Sequence, residues 1–277
     1  MMGETMPGKS KRRGRWAPNA ATASLALLAG VTGLADAAIA QDARAQALLD
    51  KVITAQGGMQ AWQSLQDLTF TLTRIVFGPQ GEEAAASKSL YYLKQQGKAR
   101  VESITGKGVK VEGFDGEKPW VTVDGKPDSG AEALRLAQFQ SANWWYWMGV
   151  PFKLKDPGVI LTYKGTAAFR GKPVEILEAT FQPGVGSTSD RYSYWIDPKT
   201  GRILFVEFQL QPGVWPGVGG PTPNRSEWLD YKQVGPFTMH TRRVFYGDAK
   251  LNHRTIVILF GDFQVNAGLD DRLFRAP

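Results

Sequence analysis

The sequence predicts a mainly β fold: a curved antiparallel half-barrel covered by an N-terminal helix and by a second helix inserted later in the chain. Three observations carry that expectation. From Leu68 onward, apolar residues recur with period two in successive short runs. Tight-turn signals separate many of those runs. Helical periodicity is confined to the stretch before Leu68 and to one later segment. Short strands joined by turns, with few helices between them, build a sheet that curls or closes.

The first forty residues are expected to be a cleaved leader. The basic stretch Lys9–Arg15 precedes an alanine-rich apolar run from Ala20 to Ala40, which ends in the small-x-small triplet Ala38-Ile39-Ala40. Cleavage after Ala40 would leave residues 41–277 as a single domain, since no linker or internal repeat interrupts them. Removing Lys9, Lys11, Arg12, Arg13 and Arg15 with Glu4 and Asp36 takes the formal charge from +7 to +4. The remaining Lys and Arg are scattered, whereas nucleic-acid binding needs a concentrated basic face. No later segment approaches the roughly 18 to 20 apolar residues of a spanning helix. The expected location is the periplasm, and the expected product is not an integral membrane protein. Cysteine is absent, so disulfides, thiol catalysis and lipidation at cysteine are excluded.

Residues 41–277 open with a helix. Ala45, Leu48, Leu49, Val52 and Ile53 form one apolar stripe, and Gly57-Gly58 stops it. A short second helix carries Met59, Trp62 and Leu65. Leu68, Phe70 and Leu72 then alternate with threonines, as a half-buried strand does. Later strand-like runs cover about 88–94, 98–104, 108–114, 119–123, 158–164, 173–181, 190–196, 202–210, 226–233, 237–246 and 253–263. Asp115-Gly116, Asp124-Gly125, Arg170-Gly171-Lys172-Pro173 and Asp197-Pro198-Lys199-Thr200-Gly201 mark turns between them. One helix interrupts the meander: Ser129-Gly130-Ala131-Glu132 reads as a capping box, and helix follows to about Trp147. Gln211–Pro223 is rich enough in Gly and Pro to be a loop.

Three segments, in this order, give the chain a resemblance. They are Leu48-Leu49 through Gly57-Gly58 to Trp62; Tyr194-Trp195-Ile196-Asp197-Pro198-Lys199-Thr200-Gly201-Arg202-Ile203; and Tyr231-Lys232-Gln233-Val234-Gly235-Pro236-Phe237 with the strand to Tyr246. Together they resemble the outer-membrane lipoprotein carrier superfamily (LolA/LolB-like) and its periplasmic relatives. The resemblance implies a half-barrel whose concave face takes up acyl chains or other apolar groups. The chain departs from the lipoprotein carriers in its length, in the aromatic segment 144–152 and in the Gly/Pro stretch 211–223.

Candidate binding residues follow from pattern. Trp144, Trp145, Tyr146 and Trp147, followed by Met148 and Phe152, cannot all face one side of a helix. Either the segment is a lid with apolar area turned to a ligand, or both helix sides are buried. Phe70 and Leu72 would line the concave face beneath it. Arg74 continues their phase and would tether the lid, unless the phase flips at Thr73 and leaves Arg74 in solvent. Trp120, beside the Asp115-Gly116 turn, would either close the hollow or pack the barrel mouth.

No catalytic set is visible. There is no G-x-S-x-G, and Gly184-Val185-Gly186-Ser187 does not precede a helix. His240 and His253 lack ligand spacing, though a shared site with Asp248 is conceivable on adjacent strands. No cofactor or metal is expected. The leading expectation is non-enzymatic binding or carriage of an apolar molecule such as a lipid, acyl chain or lipidated peptide. The alternatives are an envelope-protein interaction module docking through the aromatic segment, or a hydrolase with a dispersed carboxylate pair.

Overall fold

A computed structural model describes residues 42–106, 108–185, 190–210 and 223–277. The expected leader, residues 1–40, lies outside these, as do most of the Gly/Pro stretch and the end of the Gly184–Ser187 segment. Two helices come first, α1 (Ala43–Ala55) and α2 (Met59–Gln63). Strands β1 (Asp67–Phe77), β2 (Glu83–Lys94), β3 (Lys98–Thr105), β4 (Gly108–Phe114), β5 (Pro119–Val123) and β6 (Lys126–Pro127) follow. Helix α3 (Ala131–Gly149) separates them from β7 (Val159–Phe169), β8 (Lys172–Phe181), β9 (Arg191–Ile196), β10 (Ile203–Gln209), β11 (Asn224–Val234), β12 (Phe237–Tyr246) and β13 (Arg254–Val265). The expected runs thus recur as strands, with β2 and β7 extending further and β6 added.

All thirteen strands join one antiparallel sheet in the order β6-β5-β4-β3-β2-β1-β13-β12-β11-β10-β9-β8-β7. The sheet does not close into a barrel. Sequential hairpins account for every neighbour except β1–β13, which joins the first strand to the last. The chain therefore walks outward from β1 to one edge, crosses to the opposite edge and walks back. Helix α3, followed by a 3-10 turn at Phe152–Lys155, makes that crossing.

Period-two alternation decides which face is covered. Leu68, Phe70 and Leu72 of β1, Tyr91 and Leu93 of β2, Tyr192, Tyr194 and Ile196 of β9 and Ile258 and Phe260 of β13 belong to one apolar core. The stripe Ala45, Leu48, Leu49, Val52 and Ile53 of α1 and the buried side of α3 fill it from the concave side. A smaller cluster of Phe169, Val174 and Phe205 sits apart from it.

The capping box expected for α3 does not form. Gly130, not Ser129, is the N-cap, and no side chain caps it. Glu132 instead takes two hydrogen bonds from Arg135, from Nε at 2.8 Å and Nη2 at 2.7 Å. An ion pair one turn away wins over the reach back to the helix start.

Candidate ligand-binding site

Helix α3 divides its aromatic run between two roles. Trp144, Trp147 and Met148 are buried, while Trp145 and Tyr146 are half-buried. Trp144 packs against Phe70 at 6.0 Å, Tyr91 at 5.0 Å and Phe260 at 6.0 Å between ring centroids. Phe70 is therefore spent on holding the helix, Leu72 is buried in the same core, and neither lines the cavity beside Trp145 and Trp147. Their side of the sheet is plugged. Phe152 is likewise core, stacked on Trp62 at 5.0 Å with planes 4° apart.

Trp145 and Trp147, both expected residues, reach open space. They help line a cavity of about 760 Å³. Its walls come from both flanks of the molecule: α2 and the β2–β3 turn on one side, and Phe181, Asp190, Tyr192 and Leu210 of the β8–β10 region on the other. The lining is dominated by rings, with amides at Gln63, Gln95, Gln96 and Asn143. Among the described residues this lining holds a single carboxylate, Asp190. Met148 and Phe152 line a small adjoining space of about 20 Å³, which shares Trp62 and Leu65 with the larger cavity, and Phe152 also borders a hollow of about 440 Å³ beside α1 and α2.

The β2–β3 turn is fastened to α3. Ser141 Oγ donates to the Gly97 carbonyl, and Trp145 Nε1 donates to the Lys98 carbonyl at 3.4 Å. Gln96 adopts a left-handed backbone, φ 66°, ahead of Gly97 at φ 74°. That is the sign pattern of a type I′ turn, which normally selects Asn or Gly at the first position.

Two expected residues fall elsewhere. Register carries Phe70 to Tyr91, Val101, Glu112 and Val121 along one row of the core face. Trp120, one residue from Val121, therefore projects from the opposite face. It is 7% exposed, its Nε1 donates to the Phe274 carbonyl at 2.7 Å, and a Cβ on the facing Gly113 would collide with its ring. Trp120 is packing for the C-terminal segment, not part of the hollow. Arg74 pairs with Ile258, a core-face residue, so the phase does not flip at Thr73 as the alternative reading had it. Arg74 is exposed all the same.

The inward cation is Arg243, which pattern reading missed. It is 2% exposed, and among the described residues no carboxylate is ion-paired with it. Its guanidinium lies 4.8 Å from the Trp147 ring, 4.4 Å from Trp228 and 5.4 Å from Phe260. Nε donates to His240 Nε2 at 2.7 Å, and Nη2 donates to the Trp147 carbonyl at 3.2 Å. Burial lowers its pKa to about 9, opposed by Tyr231 and Tyr194. His240 stacks on Trp228 at 4.0 Å. Burial first and Arg243 second hold its pKa well below the usual imidazole value, so it is neutral and accepts. Beside them Tyr146 and Tyr194 share a hydroxyl–hydroxyl hydrogen bond of 2.7 Å, and burial raises the pKa of each phenol.

Period two alone would put His240 and Arg243, three residues apart, on opposite faces. Asp230 takes a left-handed backbone, φ 56°, between the pairs Leu229–Arg242 and Tyr231–His240. Thr241 Oγ1 bonds the Asp230 carbonyl at 2.7 Å. The register is unshifted on either side of Asp230, so no residue is inserted; the left-handed residue is the local irregularity, and both His240 and Arg243 are buried beside it. The register also puts His240 and His253 near opposite ends of the β12–β13 pair. At about 3.3 Å per residue they lie too far apart to share an ion with Asp248.

No curated protein matches the chain. Among solved structures, a LolA superfamily protein from Nitrosomonas europaea is similar at a TM-score of 0.53 and 14% identity, over 83% of this chain and 97% of that one. A DUF1329 family protein from Desulfovibrio piger is similar at 0.52 and 12% identity, with the same two coverages, 83% and 97%. These likenesses establish a LolA-like fold. Residues 33–213 match the model of a family of unknown function, DUF6503; that match spans most of the chain, and the chain belongs to this family.

Proposed function

We propose that this chain is an exported protein that binds or carries an apolar or amphipathic molecule, with no chemistry of its own, in the hollow between α3, the β2–β3 turn and the β8–β10 region. The observation that carries the reading is the cavity of about 760 Å³ walled by Trp62, Trp145, Tyr146 and Tyr192. A volume between roughly 300 and 1,000 Å³ suits a small ligand. Half-buried rings left beside open space are apolar area that a ligand would cover, at about 25 cal/mol per Å². The LolA-like fold supports the reading by architecture alone. Export rests on the basic-then-apolar leader, residues 1–40, with cleavage after Ala40.

Protein purified from a periplasmic fraction, measured by native mass spectrometry before and after solvent extraction, tests both parts. The expected result is a mature chain beginning at Gln41 that carries an extractable lipid-sized adduct. An intact leader would overturn the export reading. A bare chain that also fails to take up any amphiphile would overturn the binding reading.

A further inference from the structure

The two walls of the hollow differ in chemistry. On the α2 and β2–β3 side stand the amides of Gln63, Gln95 and Gln96, with Lys153, whose ammonium is ion-paired with Asp156. On the other side three rings form a corner. Tyr146 and Tyr192 lie 5.2 Å apart with planes at 50°, Phe181 and Tyr192 5.8 Å apart at 87°, and Tyr146 and Phe181 6.4 Å apart at 61°. Rings inclined this steeply to one another present their faces in different directions, and Tyr192 also has Tyr194 and Phe208 parallel to it at 6.3 and 5.8 Å. Asp190, 8% exposed, belongs to the same wall, and the Tyr192 hydroxyl donates to its Oδ2 at 3.4 Å.

The face of an aromatic ring is its electron-rich side, so such a corner attracts a cation and repels an anion. A carboxylate in the same wall acts in the same sense, and the low dielectric of a partly enclosed hollow strengthens both. Arg243 does not line the hollow; it lies against Trp147 and is engaged with His240 and the Trp147 carbonyl. Quaternary ammonium groups suit this geometry best. They are weakly hydrated, carry no N–H to donate, and gain from several ring faces at once.

We propose that the hollow selects amphiphiles with an alkylammonium head, seated between Tyr146, Phe181, Tyr192 and Asp190, an assignment that rests on the apolar-ligand reading and narrows it. The chain's own positive formal charge works against casual cation binding, so a preference for cations would have to come from the site.

The test uses decyltrimethylammonium, decanol and decyl sulfate below their micellar concentrations, followed by tryptophan emission and calorimetry. These probes share one tail and differ in head charge. The cation should bind at least about tenfold more tightly than decanol, and decyl sulfate most weakly. Asp190→Asn and Phe181→Leu should erase that preference, bringing the ratio of cation to decanol affinity to about one, with melting curves confirming the fold. Tetramethylammonium should compete with the cationic probe and not with decanol, a comparison that needs no variant. Equal binding of all three probes, or a preference that survives both substitutions, would overturn the ammonium assignment while the apolar reading stands. Binding of none of the probes would sink both.

Discussion

Arg243 and His240 form a buried cation and a neutral acceptor that need each other. The folded His240 stays unprotonated, whereas the unfolded chain takes up a proton near the ordinary imidazole value of 6.5. The native state therefore binds fewer protons below that pH. His240's contribution to stability is full above about 6.5 and is lost as pH falls beneath it, by about 1.4 kcal/mol per pH unit for one proton. Denaturant melts between pH 7 and 5 should show that slope, and His240→Gln, whose amide oxygen can still accept from Arg243, should flatten it. The tryptophans make a second test at this scale. Trp145→Ala should weaken amphiphile binding and cost less stability than Trp144→Ala, since Trp145 is half-buried and holds the β2–β3 turn by one hydrogen bond. Trp144→Ala should cost about 3–5 kcal/mol, because that ring fills the core. Sequence reading grouped these rings together, since the run Trp144–Trp147 states only that a helix cannot turn all four inward. Which ring meets the sheet depends on how the helix is rotated against it, and no local pattern encodes that. Arg243 was hidden for a related reason: alternation is trustworthy only while the ladder is regular, and Asp230 breaks it.

At the scale of elements, strands were legible and the cover was legible in part. Each strand states its own two faces through alternation, and Asp-Gly or Gly-rich turns mark its ends. The start of α3 was misread because a Ser-x-x-Glu pattern gives no account of Arg135, which claims Glu132. The end of α3 is set by packing. A Cβ on Gly149 would meet Trp62 Cη2 at 2.9 Å and Cζ2 at 3.0 Å, and would press on Lys153. Trp62 is stacked on Phe152 and lines both cavities, so it has little room to retreat. Gly149→Ala should therefore destabilise the protein by about 1–3 kcal/mol, the cost of overpacking, in spite of alanine's better helix propensity. It should also change amphiphile affinity, which calorimetry would register. A stabilised variant with unchanged binding would show that Trp62 moves freely.

For the molecule as a whole, the C-terminal segment acts as a strap on the face away from the hollow. Asp67, 1% exposed, accepts from the backbone N–H groups of Ala267 at 2.6 Å, Gly268 at 3.1 Å and Leu269 at 3.1 Å. Beyond it Asp271 bridges Lys94 and Lys98, each at 2.7 Å, and Phe274 is fully buried. Ala267 bonds one carboxylate oxygen and Gly268 and Leu269 the other, so Asp67→Asn keeps the shape but sets an amide N–H₂ against at least one donor, and should cost about 2–3 kcal/mol. Amphiphile binding should survive, because strap and hollow lie on different faces. Simultaneous loss of stability and binding would show that the two faces are coupled. The two sequence readings of Trp120, closing the hollow or packing, stay open without this strap: a tryptophan near a turn reads the same in sequence whether a ligand or the protein's own terminus covers it.

The seam between β1 and β13 has a consequence for the order of events in folding. Thr71 Oγ1 donates to Asp262 Oδ2, 191 residues further along the chain, while every other strand pairing joins sequential neighbours. Loop closure over such a separation comes at an entropic cost that local hairpins do not face. Each arm of the sheet can zip by itself, but β1 keeps one open edge, with Leu68, Phe70 and Leu72 beside it, until the last strand has been made. During synthesis that edge is the most adhesive surface the chain owns, and a partner holding the unfinished chain would gain most by covering it.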